Sequence, residues 1–457
     1  MLYVPKPHQD LIRDFTLDVP RGKVAVDMGL GKTAGLLSAA DLQRLGGANL
    51  FPILVPAPKR VARSVWPAEV EKWDQFKGFK VEKILGTAAQ REKALRRPVA
   101  DIYTINYDNI PWLMETLGER KWPFKWVIAD ESTRLKGFRL HGGGVRAKAL
   151  AQIAHLTSHW HNLTGTIAPN GLVDLWGQYW FLDFGQRLGR TFTQFLDRWF
   201  FVNDYTHEIT PKPGAAEEIY AAIADITLLL RAEDWLDIEE DLEIPVEIDL
   251  PAPVRAQYDR MEKDFYTEVG EGVEIDALSA ASKSSKLLQM CSGSVYDDNE
   301  VAHWVHDEKI PALENIAEET GEPLLVPIWW QFDTPRILKH FSGARVLKTQ
   351  RDEDDWNAGK IQMGLIHPQS GGHGLNLQYG GRNVVFFSQT WDMELRTQVL
   401  QRVGAARQIQ AGFKRVVRVF DIMVRDSMDG VARDRIRTKC SVQDALRAAR
   451  ARRSTSG

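Results

Sequence analysis

The segment Ala25-Val26-Asp27-Met28-Gly29-Leu30-Gly31-Lys32-Thr33 combines glycines, a lysine and a hydroxyl at the start of a small-residue helix. These types suit a triphosphate. Glycines let backbone N–H groups close around phosphate oxygens, the Lys32 ammonium adds a point charge at the β/γ oxygens, and the Thr33 hydroxyl can reach Mg²⁺. A helix expected over residues 33–42 aims its N-terminal dipole at the same anion. The usual signature has a glycine where Val26 stands, and by itself the segment is also readable as a plain glycine turn at a helix start. A second segment answers it: Lys125-Trp126-Val127-Ile128-Ala129-Asp130-Glu131 is a buried-type strand ending in two adjacent carboxylates. A phosphate-loop ATPase needs an acid for its metal and a base for its water, roles that suit Asp130 and Glu131. Alone, such a pair reads as solvated acids at a strand end. Downstream of the Lys32 loop, with strand-and-helix units between, the chemical reading is the stronger one.

Other segments follow in a definite order. Pro7-His8-Gln9 precedes the loop; Leu54-Val55-Pro56-Ala57-Pro58-Lys59, with Trp66, Glu69 and Trp73 after it, and Thr104-Ile105-Asn106-Tyr107 come next. The carboxylate pair continues as Asp130-Glu131-Ser132-Thr133-Arg134-Leu135-Lys136. Then come Leu163-Thr164-Gly165-Thr166, Pro169-Asn170-Gly171, Leu175-Trp176 and Leu229-Leu230-Arg231. The second half offers Gly371-Gly372-His373-Gly374-Leu375-Asn376-Leu377, Trp391 and Gln398. In order and spacing the chain resembles the Swi/Snf-type DNA translocases of helicase superfamily 2, especially their short stand-alone forms, as found in bacteriophages. The resemblance runs from Gln9 to about Asp426.

The resemblance implies a fold and a set of roles. The fold class is α/β: two RecA-like parallel-sheet lobes in tandem with small helical insertions, 1–228 and 229–457, the second with a short helical protrusion and a basic C-terminal helix. Gln9 would read adenine, Gly29, Gly31, Lys32 and Thr33 would bind ATP, and Thr33 and Asp130 would hold Mg²⁺. Lys59, Tyr107, Gly372, His373, Asn376 and Trp391 would face DNA, and Thr164 and Thr166 would couple the two events. Gln398 and Arg402 would serve catalysis from the second lobe. The implied activity is ATP hydrolysis coupled to movement on duplex DNA, with nucleotide closing a cleft between the lobes.

Two departures stand out. Thr133 occupies the place of a histidine that in the family links the nucleotide site to the coupling motif. Ala405 occupies the usual place of the arginine finger, whose loss can cost on the order of 10³–10⁵ in turnover; Arg402 or Arg407 could substitute. Two rivals follow: a nucleotide-gated DNA-binding module with little turnover, and an RNA-remodelling ATPase. The second is disfavoured because the Gly371–Leu377 turn and Trp391 look like those of the duplex-DNA translocases.

The elements that would position these residues are visible as alternation. Apolar strands are expected near residues 23–26, 50–55, 101–105, 125–129 and 159–163, with helices such as 61–73 and 88–96 between them. In the second half a helical pair (about 254–269 and 275–291) precedes strands near 323–330, 344–348, 361–366, 383–387 and 415–421. With 457 residues, 44% apolar and 26% charged, the chain can bury large cores. Tryptophans 126, 160, 176, 180, 199 and 329 read as core, and Trp66 and Trp391 as partly exposed. Net charge is −3, but residues 217–249 carry twelve acids against Arg231 alone, whereas residues 396–457 carry fifteen Lys/Arg against five acids. The basic end could follow phosphates, and the acidic stretch reads as a solvated linker. Cys291 and Cys440 form no spaced pair, which suits a reducing cytoplasm, that of the host if the protein is phage-encoded. Neither Cys291 with His303 and His306, nor His155, His159 and His161, has a recognisable metal spacing. Charged residues at the start and the absence of a long apolar run argue against a signal peptide or membrane span. A monomer is expected, with a protein partner available for targeting.

Overall fold

The computed structural model describes residues 1–96, 100–165, 167–168, 171–203, 209–268, 277–368 and 375–438. The chain divides into two compact units: Met1–Val202 with Ile209–Asp237, and a second that opens its main body at Ile238.

The first unit is built on β1 (Arg21–Val26), β2 (Ile53–Ala57), β3 (Val81–Ile84), β4 (Ile102–Asn106), β5 (Trp126–Ala129) and β6 (His159–Thr164). After a small antiparallel hairpin, β7 (Phe200–Val202) with β8 (Ile209–Pro211), comes β9 (Thr227–Leu230). The seven-stranded sheet has the order β3-β4-β2-β5-β6-β1-β9, and every pairing in it is parallel. Strands covered by helices on both faces lose water on both, which is why β2, β4 and β5 are buried along their whole length. Parallel order also brings all strand C-termini to one edge, where ligands bind in such sheets. An aromatic core fills one face: Phe138 stacks on Trp176 at 5.8 Å and Trp160 on Phe181 at 5.1 Å.

The second unit contains β10 (Leu242–Ile248), a hairpin of β11 (Ser294–Tyr296) and β12 (Ala302–Trp304), then β13 (Leu324–Pro327), β14 (Ala344–Val346), β15 (Met363–Ile366), β16 (Asn383–Phe386) and β17 (Arg418–Val424). Six of these form a second parallel sheet in the order β10-β17-β16-β13-β15-β14. The helical pair spans Ala252–Glu268 and Ala277–Ser292. Tyr258 and Phe265 of the first helix and Leu287, Leu288 and Met290 of the second share a cluster with Val424 and Met428.

Two expectations are corrected by the strand pairing. The division falls at Asp237/Ile238 instead of 228/229, because Leu229-Leu230 belongs to β9, the first sheet's edge strand, paired with β1 from Lys23↔Thr227 to Val26↔Leu230. The acidic stretch is not a plain solvated linker: β10 pairs with β17 along its full length, Leu242↔Arg418 to Ile248↔Val424. Its acids are met by arginines, Arg433 on Glu243 and Arg425 on Glu247, each at 3.2 Å. The basic C-terminal helix expected beyond residue 438 lies outside the described residues.

Candidate nucleotide site and nucleic-acid-facing residues

Val26 ends β1 and the chain turns through Gly29 and Gly31, with φ of 96° and 72°, into the helix Lys32–Leu45. Left-handed φ is the reason for glycine here. A side chain on Gly31 would also meet Gln9, since a Cβ there would lie 2.2 Å from Gln9 Nε2. Gln9 therefore covers the loop, while its Oε1 accepts the Lys6 N–H at 2.9 Å and caps the helix Pro7–Asp18. The Lys32 ammonium donates to the Val26 carbonyl at 3.2 Å. Thr33 is half-buried in the first helical turn. Asp27 is occupied structurally: its Oδ2 accepts the Ala232 N–H at 2.9 Å and its own N–H donates to Leu230.

Asp130 and Glu131 follow β5, and the end of β6, Thr164, stands between them and the β1 loop in the sheet order. Asp130 is buried and closely held. Its Oδ2 accepts the Trp66 indole N–H at 2.9 Å and its Oδ1 the Glu131 N–H at 3.0 Å. Burial pushes its pKa up, the neighbouring Glu131 adds to the rise, and Lys32 and the Trp66 hydrogen bond oppose it. Glu131 is itself left-handed, with φ 55°, an uncommon conformation for a side chain larger than glycine. It stands at the N-terminal end of the short turn Ser132–Leu135, without a capping hydrogen bond from its side chain.

Trp66 is therefore not partly exposed as its sequence context suggested; it is 1% exposed and serves Asp130. Tyr107 is corrected in the same way. Instead of facing DNA it is buried, and its hydroxyl donates to the Asp130 carbonyl at 2.9 Å. Lys59, two residues past the end of β2, is exposed, and Thr164 is buried. Thr166, Gly372 and His373 lie outside the described residues.

In the second unit, Gln398 and Arg402 lie on the buried side of the helix Met393–Val403. Arg396 pins that helix to β17 by a bidentate pair with Asp421 at 2.8 and 2.9 Å. Gln398 Nε2 donates to Glu394 at 3.3 Å. Ala405 begins the next helix, Ala405–Gln410, and Arg407 donates to the exposed Asn376 at 3.3 Å. Trp391 is half-buried against the cluster of Leu250, Tyr258 and Leu287.

Sequence reasoning missed Lys23 and Gln178. Both are fully buried, and Lys23 Nζ donates to Gln178 Oε1 at 2.8 Å. The available signal was a lysine directly before the apolar run Val24-Ala25-Val26 that leads into the loop.

Two parallel α/β sheets in tandem, the first carrying a glycine loop and paired carboxylates at its strand ends, define a protein of two RecA-like lobes. No protein-family model matches the chain. It is 46% identical over 452 residues to protein p41 of Acyrthosiphon pisum secondary endosymbiont phage 1, across 97% of this chain and 98% of that one. It is 23% identical over 423 residues to the ATP-dependent helicase MG018 of Mycoplasma genitalium, across 89% of this chain and 38% of that protein. The corresponding figures for ISW1 of Saccharomyces cerevisiae, a chromatin-remodeling complex ATPase, are 24% over 457 residues, 89% and 37%. The chain thus spans under two fifths of those two proteins. Among solved structures it aligns with the Sulfolobus solfataricus SWI2/SNF2 ATPase core in complex with dsDNA at a TM-score of 0.44 and 18% identity, over 96% of this chain and 91% of that one. The chain belongs to one family with phage protein p41, and its more distant relatives bear out the resemblance to Swi/Snf-type helicases.

Proposed function

We propose that this protein is a DNA-dependent ATPase that moves on duplex DNA, a member of helicase superfamily 2. The observation that carries the reading is the placement of the Lys32 loop and the Asp130-Glu131 pair on one edge of one sheet, one strand apart. The residues fit the group they would bind. Left-handed glycines open the loop backbone to phosphate, and each Asp130 oxygen accepts one N–H with a further lone pair to offer. Mg²⁺, held by Thr33 and Asp130, would supply charge neutralisation of the phosphate oxygens. Lys32 leaves the Val26 carbonyl for the phosphates, Gln9 reads the base, and Glu131 takes the proton of the attacking water. From the second unit, Gln398 and Arg402 are the proposed contributors to turnover, and Gly372, His373, Asn376 and Trp391, with Lys59 of the first, the proposed DNA contacts. Thr164 and Thr166 are the proposed coupling residues.

Support for an ATP-driven motor comes from the relatives, which include an ATP-dependent helicase and a chromatin-remodeling complex ATPase. ATP turnover measured with duplex DNA, single-stranded DNA and RNA, for the parent, Lys32→Ala and Glu131→Gln, tests the reading. Duplex DNA should stimulate most. Lys32→Ala should lose turnover with the fold intact, and Glu131→Gln should keep ATP binding while losing hydrolysis. Parent-level hydrolysis by either variant would move the site elsewhere, and preferential stimulation by RNA would favour the RNA-remodelling rival.

A further inference from the structure

Lys23 lies in β1, whose last residue opens the phosphate loop, and its side chain is wholly buried. An amine there needs acceptors. Nζ finds the Ile167 carbonyl at 3.1 Å, just past β6, and Gln178 Oε1 at 2.8 Å, and it lies 5.0 Å from the centre of the Tyr179 ring. Two acceptors match the two N–H groups of the neutral amine. The same Gln178 Oε1 accepts the Ser132 hydroxyl at 3.4 Å, and Ser132 directly follows the carboxylate pair. Gln178 is fixed in turn, its Nε2 donating to the Asp174 carbonyl at 3.0 Å and its carbonyl accepting Asn162 Nδ2 at 2.7 Å. The helix Val173–Asp183 that carries it presses on the turn after Glu131: a Cβ on Gly177 would stand 2.6 Å from the Lys136 carbonyl oxygen.

One buried amine therefore ties three segments: the strand that feeds the loop, the segment after Thr164, and, through Gln178, the turn after Glu131. We infer that Lys23 is a positioning residue that transmits occupancy of the phosphate loop to the Ser132 turn and to the segment after β6. The inference rests on the nucleotide reading above. An anion on the loop competes for the Lys32 ammonium and frees the Val26 carbonyl at the end of the same strand. A shift of β1 then moves Lys23, and a buried polar network resists partial breakage because each group left without a partner is costly. Its three segments shift together. The route leaves from Ser132, beside Thr133, where the family places its coupling histidine.

Hydrogen exchange with and without Mg-ATP tests this, read on peptides covering Gly29–Thr33 and Gly171–Gln178. In the parent both peptides should gain protection. In Lys23→Met, and in Lys23→Met/Gln178→Leu, which removes the amine and its side-chain partner together, the loop should still respond and the second peptide should not. Ser132→Ala, a smaller change at the far end, should weaken the second response alone. A parent whose loop responds while Gly171–Gln178 does not would overturn the relay and leave the nucleotide reading standing. A parent with no response at the loop would overturn both. If the double variant regains the parental melting temperature and the parental response together, Lys23 only fills space and the inference fails.

Discussion

Each oxygen of the Asp130 carboxylate accepts one N–H, from Trp66 or from the Glu131 backbone, so the orientation of the group is set before any metal arrives. A hydrogen bond to a charged group is worth about 1.5–3 kcal/mol, and partners of this kind commonly tune metal affinity about 10–100-fold. Trp66→Phe keeps the ring and deletes the donor. It should raise the Mg²⁺ concentration for half-maximal ATP turnover about tenfold, and an unchanged Mg²⁺ titration would remove Asp130 from the metal. Lys23 gives a prediction in pH. Burial lowers its pKa from 10.5 to about 7, with Asp174 opposing. Between those values the unfolded chain holds a proton that the folded chain does not, so stability rises with pH across the window and the full penalty is present below about 7. The melting temperature of the parent should gain on that of Lys23→Met as pH rises from about 7 toward 10. A difference that stays flat with pH would show that Lys23 does not change its proton affinity on folding.

At the scale of elements, tight approach decides where the carboxylate pair sits. The helix Val173–Asp183 reaches the turn after Glu131 at Gly177, where a Cβ would stand 2.6 Å from the Lys136 carbonyl oxygen and 2.7 Å from that of Leu135. Backbone cannot yield there as a flexible side chain would. Gly177→Ala should cost about 1–3 kcal/mol in denaturant unfolding, the usual range for overpacking, despite the better helix propensity of alanine. A variant as stable as the parent would mean that the helix can slide freely. The edge strands show a different logic. In β10, Ile244, Val246 and Ile248 alternate with Glu243, Pro245 and Glu247, a period of two with proline tolerated because the strand is at an edge. That alternation was available in the sequence beneath the acidic composition. β9, by contrast, is only Thr-Leu-Leu-Leu, too short to show a period, and its partner β1 lies far back in the chain.

For the whole molecule the net charge of −3 gives no general attraction to nucleic acid, so binding must come from local cations. Affinity for duplex DNA should fall with salt and discriminate poorly among sequences. Lys59→Ala should flatten the logarithmic salt slope by about one. A salt-independent affinity would exclude phosphate contacts as its source. Turnover carries the second prediction at this scale. Ala405 opens a helix where the family places a finger, Arg402 is buried, and Arg407 engages Asn376. Ala405→Arg should raise DNA-stimulated turnover with little change in ATP affinity, because a finger acts on the transition state. If turnover is unchanged while Arg402→Ala or Arg407→Ala collapses it, the charge already comes from that residue.

The sequence by itself determined the fold class and the ends of the reacting strands. Glycine at a left-handed turn, lysine and threonine at a helix start, and two acids after a buried strand have local physical causes, and local causes are written in consecutive residues. The parallel sheets followed from the alternation of apolar strands and helices. What only tertiary structure decided concerns partners far apart in the chain: Trp66 and Tyr107 holding Asp130, Lys23 reaching Ile167 and Gln178, and β9 closing the first sheet beside β1. A tryptophan near a predicted DNA-facing turn looks the same in sequence whether its N–H meets water or a carboxylate. Burial and hydrogen bonding depend on which distant segments the fold brings together, and no periodicity within a single segment encodes that.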